Sequence, residues 1–159
     1  MSLKRFSDAF TDQLRALSEA NERRLSEVKT AVEQRLTVDD KMVHLSPEDE
    51  ARAARESEQV AALWSLEGEA RFALPLAAPL ADLPNGGRFG ARRIFNGEPR
   101  SPHSGVDYRA TPGTPILAVA DGRVALAADH FFGGNSVYLF HGGGLITVYM
   151  HLSRIGVKD

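Results

Sequence analysis

All 8 prolines and all 14 glycines of this 159-residue chain lie beyond residue 45. Proline removes a backbone donor and glycine loosens the backbone, so a stretch lacking both can run as one long helix. A stretch rich in both breaks into short elements. In the first stretch Phe10, Leu14, Leu17, Leu25, Val28, Val32 and Leu36 recur at spacings of three and four, with Asn21 filling the one empty step. That spacing predicts an amphipathic helix over about residues 5–36. Its polar face mixes signs through Glu19, Glu22, Arg23, Arg24, Glu27 and Lys29. One reading is a solvated face over an apolar stripe. The other is a coiled-coil seam, with helix-mediated self-association or a partner helix.

Ser46-Pro47-Glu48-Asp49-Glu50 opens a second helix. The serine caps exposed N–H groups, proline suits the first turn, and the carboxylates sit at the positive end of the dipole. This helix is expected to run to about Leu66 and to anchor by its C-terminal end, through Val60, Leu63 and Trp64. Phe72 to Pro84 is apolar but carries three prolines, so it reads as an extended strap packing its leucines against the C-terminal domain. Beyond Arg88 the strand candidates are Ile116–Ala120, Arg123–Ala127, Ser136–Phe140 and Leu145–Tyr149. Asp121-Gly122 reads as a two-residue hairpin turn and Gly142 to Gly144 as a second connection. The expected organisation is residues 1–36 as a helix, 37–84 as second helix and strap, and 85–159 as a β-domain, sandwich or barrel. The fold class is therefore α+β, with a mainly antiparallel sheet.

A net charge of -2 argues against a generic nucleic-acid binder. No cysteine is present, which excludes disulfides, thiolate metal sites and thiol nucleophiles. Met1-Ser-Leu-Lys-Arg-Phe lacks the apolar core of a secretory signal, and no stretch reaches the roughly 18 apolar residues of a membrane span.

The residues with chemistry to offer are His103 and Asp107, in Ser101-Pro-His-Ser-Gly-Val-Asp-Tyr108, and His151, in Val148-Tyr-Met-His-Leu-Ser153. Imidazole and carboxylate are donors that zinc takes at about 2 Å. Alone, the His-x-x-x-Asp pair fits equally a histidine hydrogen-bonded to an aspartate in a turn. His151 ends an alternating apolar segment, where its side chain is expected to share a face with Thr147 and Tyr149. His141, before the three glycines, suits a turn or hydrogen-bonding role. His130 lies in a loop spanning about His130 to Asn135 that can wall a groove, and His44 reads as exposed. Arg92, Arg93 and Asn96 are candidates for holding substrate carbonyl or carboxylate groups.

Several motifs occur in a fixed order: Glu33 to Val38, Leu45 to Glu50, Arg88-Phe-Gly90, Arg93 to Gly97, Ser101 to Tyr108, Thr111 to Pro115, Ala118 to Gly122 and Tyr149 to Ser153. Together they resemble the lysostaphin-like (LytM-type) zinc endopeptidases, which cut peptide cross-links of bacterial cell wall. The resemblance runs from about Arg35 to the end. It implies a sandwich/barrel-hybrid β-domain, Zn2+ held by His103 and Asp107, and His151 as a catalytic histidine beside the metal. It also implies a peptidoglycan cross-link peptide as partner, and a periplasmic or cell-envelope location. Members of this fold that lost metal ligands act as wall binders or regulators, which is the alternative.

That family completes its site with a His-x-His pair, and no such pair occurs before Asp159. The resemblance therefore implies a β-domain incomplete at its C-terminus and a missing third metal ligand. On this reading the polypeptide binds zinc weakly, hydrolyses poorly or not at all, and aggregates through an unpaired strand edge.

Overall fold

A computed structural model describes residues 15–25, 33–36, 38–87 and 89–157. The chain divides into two compact units. One draws on Met1–Val38 and Arg88–Val106, the other on Asp39–Gly87 and Asp107–Asp159.

In the first unit residues 15–25 are helical, with Leu17 and Leu25 largely exposed. The predicted helix over 5–36 does not extend to its end. Glu33–Leu36 is a strand, β1, and the remaining parts of the prediction, 5–14 and 26–32, lie outside the described residues. β1 pairs in parallel with β2 (Arg92–Phe95), placing Glu33 opposite Arg92 and Leu36 opposite Phe95. A helix depends mostly on tertiary packing of its apolar face, and a distant strand offering a backbone ladder overrides local periodicity. β2 then turns into β3 (Glu98–Arg100), antiparallel, with Phe95 opposite Glu98. Asn96 and Gly97 make that turn with φ of 49° and 89°. Both central residues thus have the positive φ of a type I′ hairpin turn, for which Asn-Gly is the favoured pair.

The second unit begins with a 3₁₀ turn at Asp40–Met42, capped by the Asp39 side chain. Helix α1 (Pro47–Leu63) comes next, with Ser46 Oγ accepting the Asp49 N–H at 3.1 Å, as expected of an N-cap. Leu63 is buried, Val60 half-buried and Trp64 exposed, so the C-terminal anchor is narrower than the sequence indicated. The mid-helix supplies a second anchor. Arg52 donates to the Glu56 carboxylate at 2.6 Å and to the Asp129 carbonyl at 3.0 Å, while Glu56 accepts the Phe131 N–H at 2.8 Å.

The strap runs extended, but its leucines do not all pack inward. Leu80 is buried, whereas Leu74 and Leu83 are exposed. Backbone hydrogen bonds hold it instead: Arg71 N–H to the His141 carbonyl, Ala77 N–H to Val119, and Gly68 and Pro79 carbonyls accepting from Gly143 and Leu117. Ile116–Ala120, expected as a strand, is irregular and meets the strap through isolated bonds of this kind. Pro75, Pro79 and Pro84 cannot donate, so no continuous ladder forms between the two stretches.

The sheet of this unit is β4 (Arg123–His130), β5 (Gly134–Phe140) and β6 (Ile146–Leu152), antiparallel, with β5 in the centre. Val137, Tyr138 and Phe140 of the central strand are buried, together with Ser136. Gly142, Gly143 and Gly144, all at positive φ, connect β5 to β6 as expected. A Cβ on Gly142 would fall on the Glu69 carbonyl oxygen, so glycine is required where the segment leading into the strap crosses this connection. The α+β expectation holds, with an antiparallel second sheet and one parallel pair, β1–β2, that was not foreseen.

Candidate active-site segment

The chain holds His103 by its backbone. Its N–H donates to the Ala91 carbonyl at 2.9 Å and its carbonyl accepts from Gly90 at 2.7 Å, all within the first unit. The ring is half-buried, with Nε2 lying 3.8 Å from where a Gly105 Cβ would sit. Asp107 is exposed and belongs to the second unit, where it forms an antiparallel bridge with Gly87. The boundary between units falls between Val106 and Asp107, inside the motif itself.

His151 sits near the end of β6, exposed, with φ of 57°. Across from it Asn135 pairs with Leu152 and Val137 with Tyr149, so Met150 and His151 together oppose Ser136. This is a β-bulge, the device by which a strand re-aims one side chain. The simple alternation linking Tyr149 to His151 therefore stops at the bulge. The bulge is pinned from the β4–β5 turn and the start of β5: the Gly133 carbonyl accepts the His151 N–H at 2.8 Å, and Asn135 Nδ2 donates to the Leu152 carbonyl at 3.1 Å. Ser136, fully buried, donates to the Gly133 and Gly134 carbonyls and fixes the turn from within.

A second polar network holds the other end of β6. His141 is fully buried; its Nδ1–H donates to the Asp121 carbonyl at 2.8 Å, and its Nε2 shares a 2.8 Å hydrogen bond with the Thr147 hydroxyl. The Thr147 hydroxyl also lies 3.3 Å from the Tyr149 hydroxyl, which accepts the Val119 N–H at 3.0 Å. Asp121-Gly122 is no hairpin turn. It brings a carbonyl to the histidine, and Gly122 is needed because a Cβ there would come within 2.8 Å of His141 Nδ1.

His130 is buried, not a groove wall: Nδ1 lies 3.4 Å from the Tyr138 hydroxyl, and Nε2 has no hydrogen-bond partner among the described residues. Burial, and then the negative charge of Glu56, push the Tyr138 hydroxyl above its usual pKa. For Glu56 itself burial acts upward, but the Phe131 N–H and the Arg52 guanidinium outweigh it and hold the carboxyl below its ordinary range. Asn96 exchanges two 3.0 Å hydrogen bonds with Val38, and Arg93 donates to the Ser101 carbonyl while stacking 5.6 Å over Phe95. Both are thereby engaged within their own unit. Sequence reasoning missed the Arg52–Glu56 clasp. The i,i+4 spacing was visible, but its target in the β4–β5 turn was not.

Among the described residues no three His, Cys, Asp or Glu side chains gather into a metal-binding group. His103 and Asp107 suit zinc by donor type but fall one short of the three protein ligands a catalytic zinc takes.

Comparison with known proteins bears on the segment that holds these residues. Residues 101–159, which contain all three residues, match the sequence model of peptidase family M23. Over this stretch the chain is similar to the M23 (LytM-type) peptidases. The chain is 41% identical over 58 residues to the peptidoglycan DD-endopeptidase ShyA of Vibrio cholerae, covering 36% of this chain and 14% of that protein. It is 42% identical over 93 residues to an uncharacterized metalloprotease of Haemophilus influenzae, covering 58% and 19%. The crystal structure of a Pseudomonas aeruginosa protein assigned to peptidase M23 superposes with a TM-score of 0.60 at 38% identity, covering 70% of this chain and 44% of that one. The chain thus spans about a seventh of the length of the first of these curated relatives.

Proposed function

We propose that this chain is part of a zinc-dependent endopeptidase that hydrolyses peptide cross-links of peptidoglycan in the cell envelope. His103 and Asp107 supply two of the zinc ligands, and His151 is the catalytic histidine. The observation that carries the reading is His151, exposed and held at a left-handed bulge inside the segment matching peptidase family M23. Relatives named as peptidoglycan DD-endopeptidases support the substrate class. Zinc, when bound, polarises the scissile carbonyl and acidifies water. Imidazole exchanges protons near neutral pH, so His151 accepts a proton during attack or donates a hydrogen bond to the developing oxyanion.

His103 and Asp107 are two of the three protein donors a catalytic zinc takes, so these two alone are expected to hold zinc weakly and to support slow cleavage. The test is calorimetric zinc titration of the chain beside His103→Ala and Asp107→Ala, with turnover of cross-linked muropeptides by the wild type and His151→Ala. Weak binding lost in both ligand variants, and slow cleavage abolished by His151→Ala, is the expected result. Binding indifferent to both substitutions would sink the ligand assignment. The lack of a three-donor group among the described residues favours a second reading, a wall-binding module without catalysis. Retention on peptidoglycan with no released fragments at any zinc concentration would select it.

A further inference from the structure

Among the described residues no hydrogen bond joins helix α1 directly to β6, yet a short chain of bonds links them. Glu56 Oε2 accepts the Phe131 N–H at 2.8 Å. Arg52 closes the clasp, binding Glu56, the Asp129 carbonyl and the Asp129 carboxylate at 2.6, 3.0 and 3.2 Å. Its guanidinium also lies 5.9 Å from the centre of the Phe131 ring. Two residues further on, the Gly133 carbonyl receives the His151 N–H at 2.8 Å. The turn between β4 and β5 is thus gripped on one side by the helix and itself grips the bulge on the other.

Local geometry makes the grip selective. His151 sits at φ 57°, a conformation unfavourable for a non-glycine residue, which persists only where the surroundings impose it. The surroundings here are the Gly133 carbonyl on the turn, which takes the His151 N–H, and the Asn135 amide at the start of β5, which holds the next residue's carbonyl, that of Leu152. Gly133 and Gly134 give that turn little stiffness of their own, so its position is set from outside. Ser136 supplies one support from the sheet, and Glu56 supplies the other from the helix.

We propose that Glu56, assisted by Arg52, is a positioning residue for His151: by holding the Phe131–Gly134 turn it fixes the bulge from which that histidine projects. This deepens the reading of His151 as the catalytic histidine and rests on it for its functional meaning. The structural claim itself stands without it.

The experiment is NMR on the full chain, comparing wild type with Glu56→Ala, which deletes the acceptor, and Glu56→Gln, which keeps one for the Phe131 N–H. Two readouts are followed, amide hydrogen exchange at Phe131 and His151 and the ring resonances of His151 through a pH titration. Amides at His141 and Leu145, whose bonds close the far end of β6, are the reference. In Glu56→Ala, exchange at both Phe131 and His151 accelerates about tenfold or more with the reference amides unchanged, and the His151 ring signals shift. In Glu56→Gln both return most of the way to wild type. Faster exchange at Phe131 with His151 unmoved would overturn the proposal. So would uniform loosening of the reference amides, because that marks Glu56 as a general stabiliser. Should Glu56→Ala not fold, Arg52→Lys carries the same test, since it keeps the charge but loses the fork to Glu56 and Asp129. Neither readout needs turnover, so a His151 without catalytic function would leave the positioning result intact, and the two failures are distinguishable.

Discussion

Thr147→Val removes one hydroxyl from the second unit and almost no volume. That hydroxyl is 2.8 Å from His141 Nε2 and 3.3 Å from the Tyr149 hydroxyl. Tyr149 keeps its bond from the Val119 N–H, but His141 has nowhere to turn, being 0% exposed with its other nitrogen already bonded to Asp121. Leaving a buried polar group unpaired costs about 1–3 kcal/mol, against about 1 for an average hydrogen bond lost to water. With an m-value of about 2 kcal/mol/M in urea, the midpoint should fall by about 1 M, with unchanged m. Urea unfolding followed by circular dichroism measures it. Repeating the substitution in a Tyr149→Phe background locates the loss: if His141 is the stranded group, most of the cost remains. A change below about 0.5 kcal/mol, or a cost that vanishes with Tyr149→Phe, would refute the argument.

Gly142→Ala places a methyl on the Glu69 carbonyl at φ +78°, so it should cost about 3 kcal/mol or more and detach the strap, seen as faster exchange at the Arg71 and Gly143 amides. Ser46→Ala removes the N-cap of α1 and should lower stability by about 1 kcal/mol in the same urea assay. Glu56 faces Arg52, the Phe131 N–H, Tyr138 and His130, and its carboxyl is held below the unfolded value. Its contribution is therefore present above the ordinary carboxylate range and lost as pH falls through its lowered folded pKa. Glu56→Gln should flatten the acid limb of a stability–pH curve, and an unchanged limb would remove Glu56 from the account.

Legibility in the sequence tracked the range of the interactions. Ser46 as N-cap, the Gly142–Gly144 connection and the cores of β4, β5 and β6 rest on local propensity, and each was readable. The hairpin at Asn96-Gly97 was equally readable from its dipeptide and was overlooked. β1 was not readable, since Glu33–Leu36 continues a helical spacing and is claimed by a strand more than fifty residues away. The Asp121-Gly122 turn misled for a related reason: the glycine serves close approach of His141, which pattern alone does not separate from a hairpin. For the candidate site, the motifs could be picked out as sequence, but the left-handed bulge under His151 could not, because alternation in Thr147-Val-Tyr149 says nothing about where a strand gains a residue.

The two ends of β6 are held by different devices, so their energies should separate. Thr147 and Tyr149 tie one end to His141, and the Gly133 carbonyl holds the other at His151. Thr147 and His151 are four positions apart along β6, at most about 13 Å at the usual strand rise. Among the described residues the two networks share no hydrogen bond: one ends at Asp121 and Val119, the other at Glu56 and Arg52. Perturbations that far apart with no common partner add to within about 0.5 kcal/mol. The double variant Thr147→Val with Glu56→Ala should therefore lose the sum of the single losses in urea unfolding. A coupling above about 1 kcal/mol would mean that β6 transmits strain along its length, and that the geometry of His151 is set by the buried His141 network as well as by the turn.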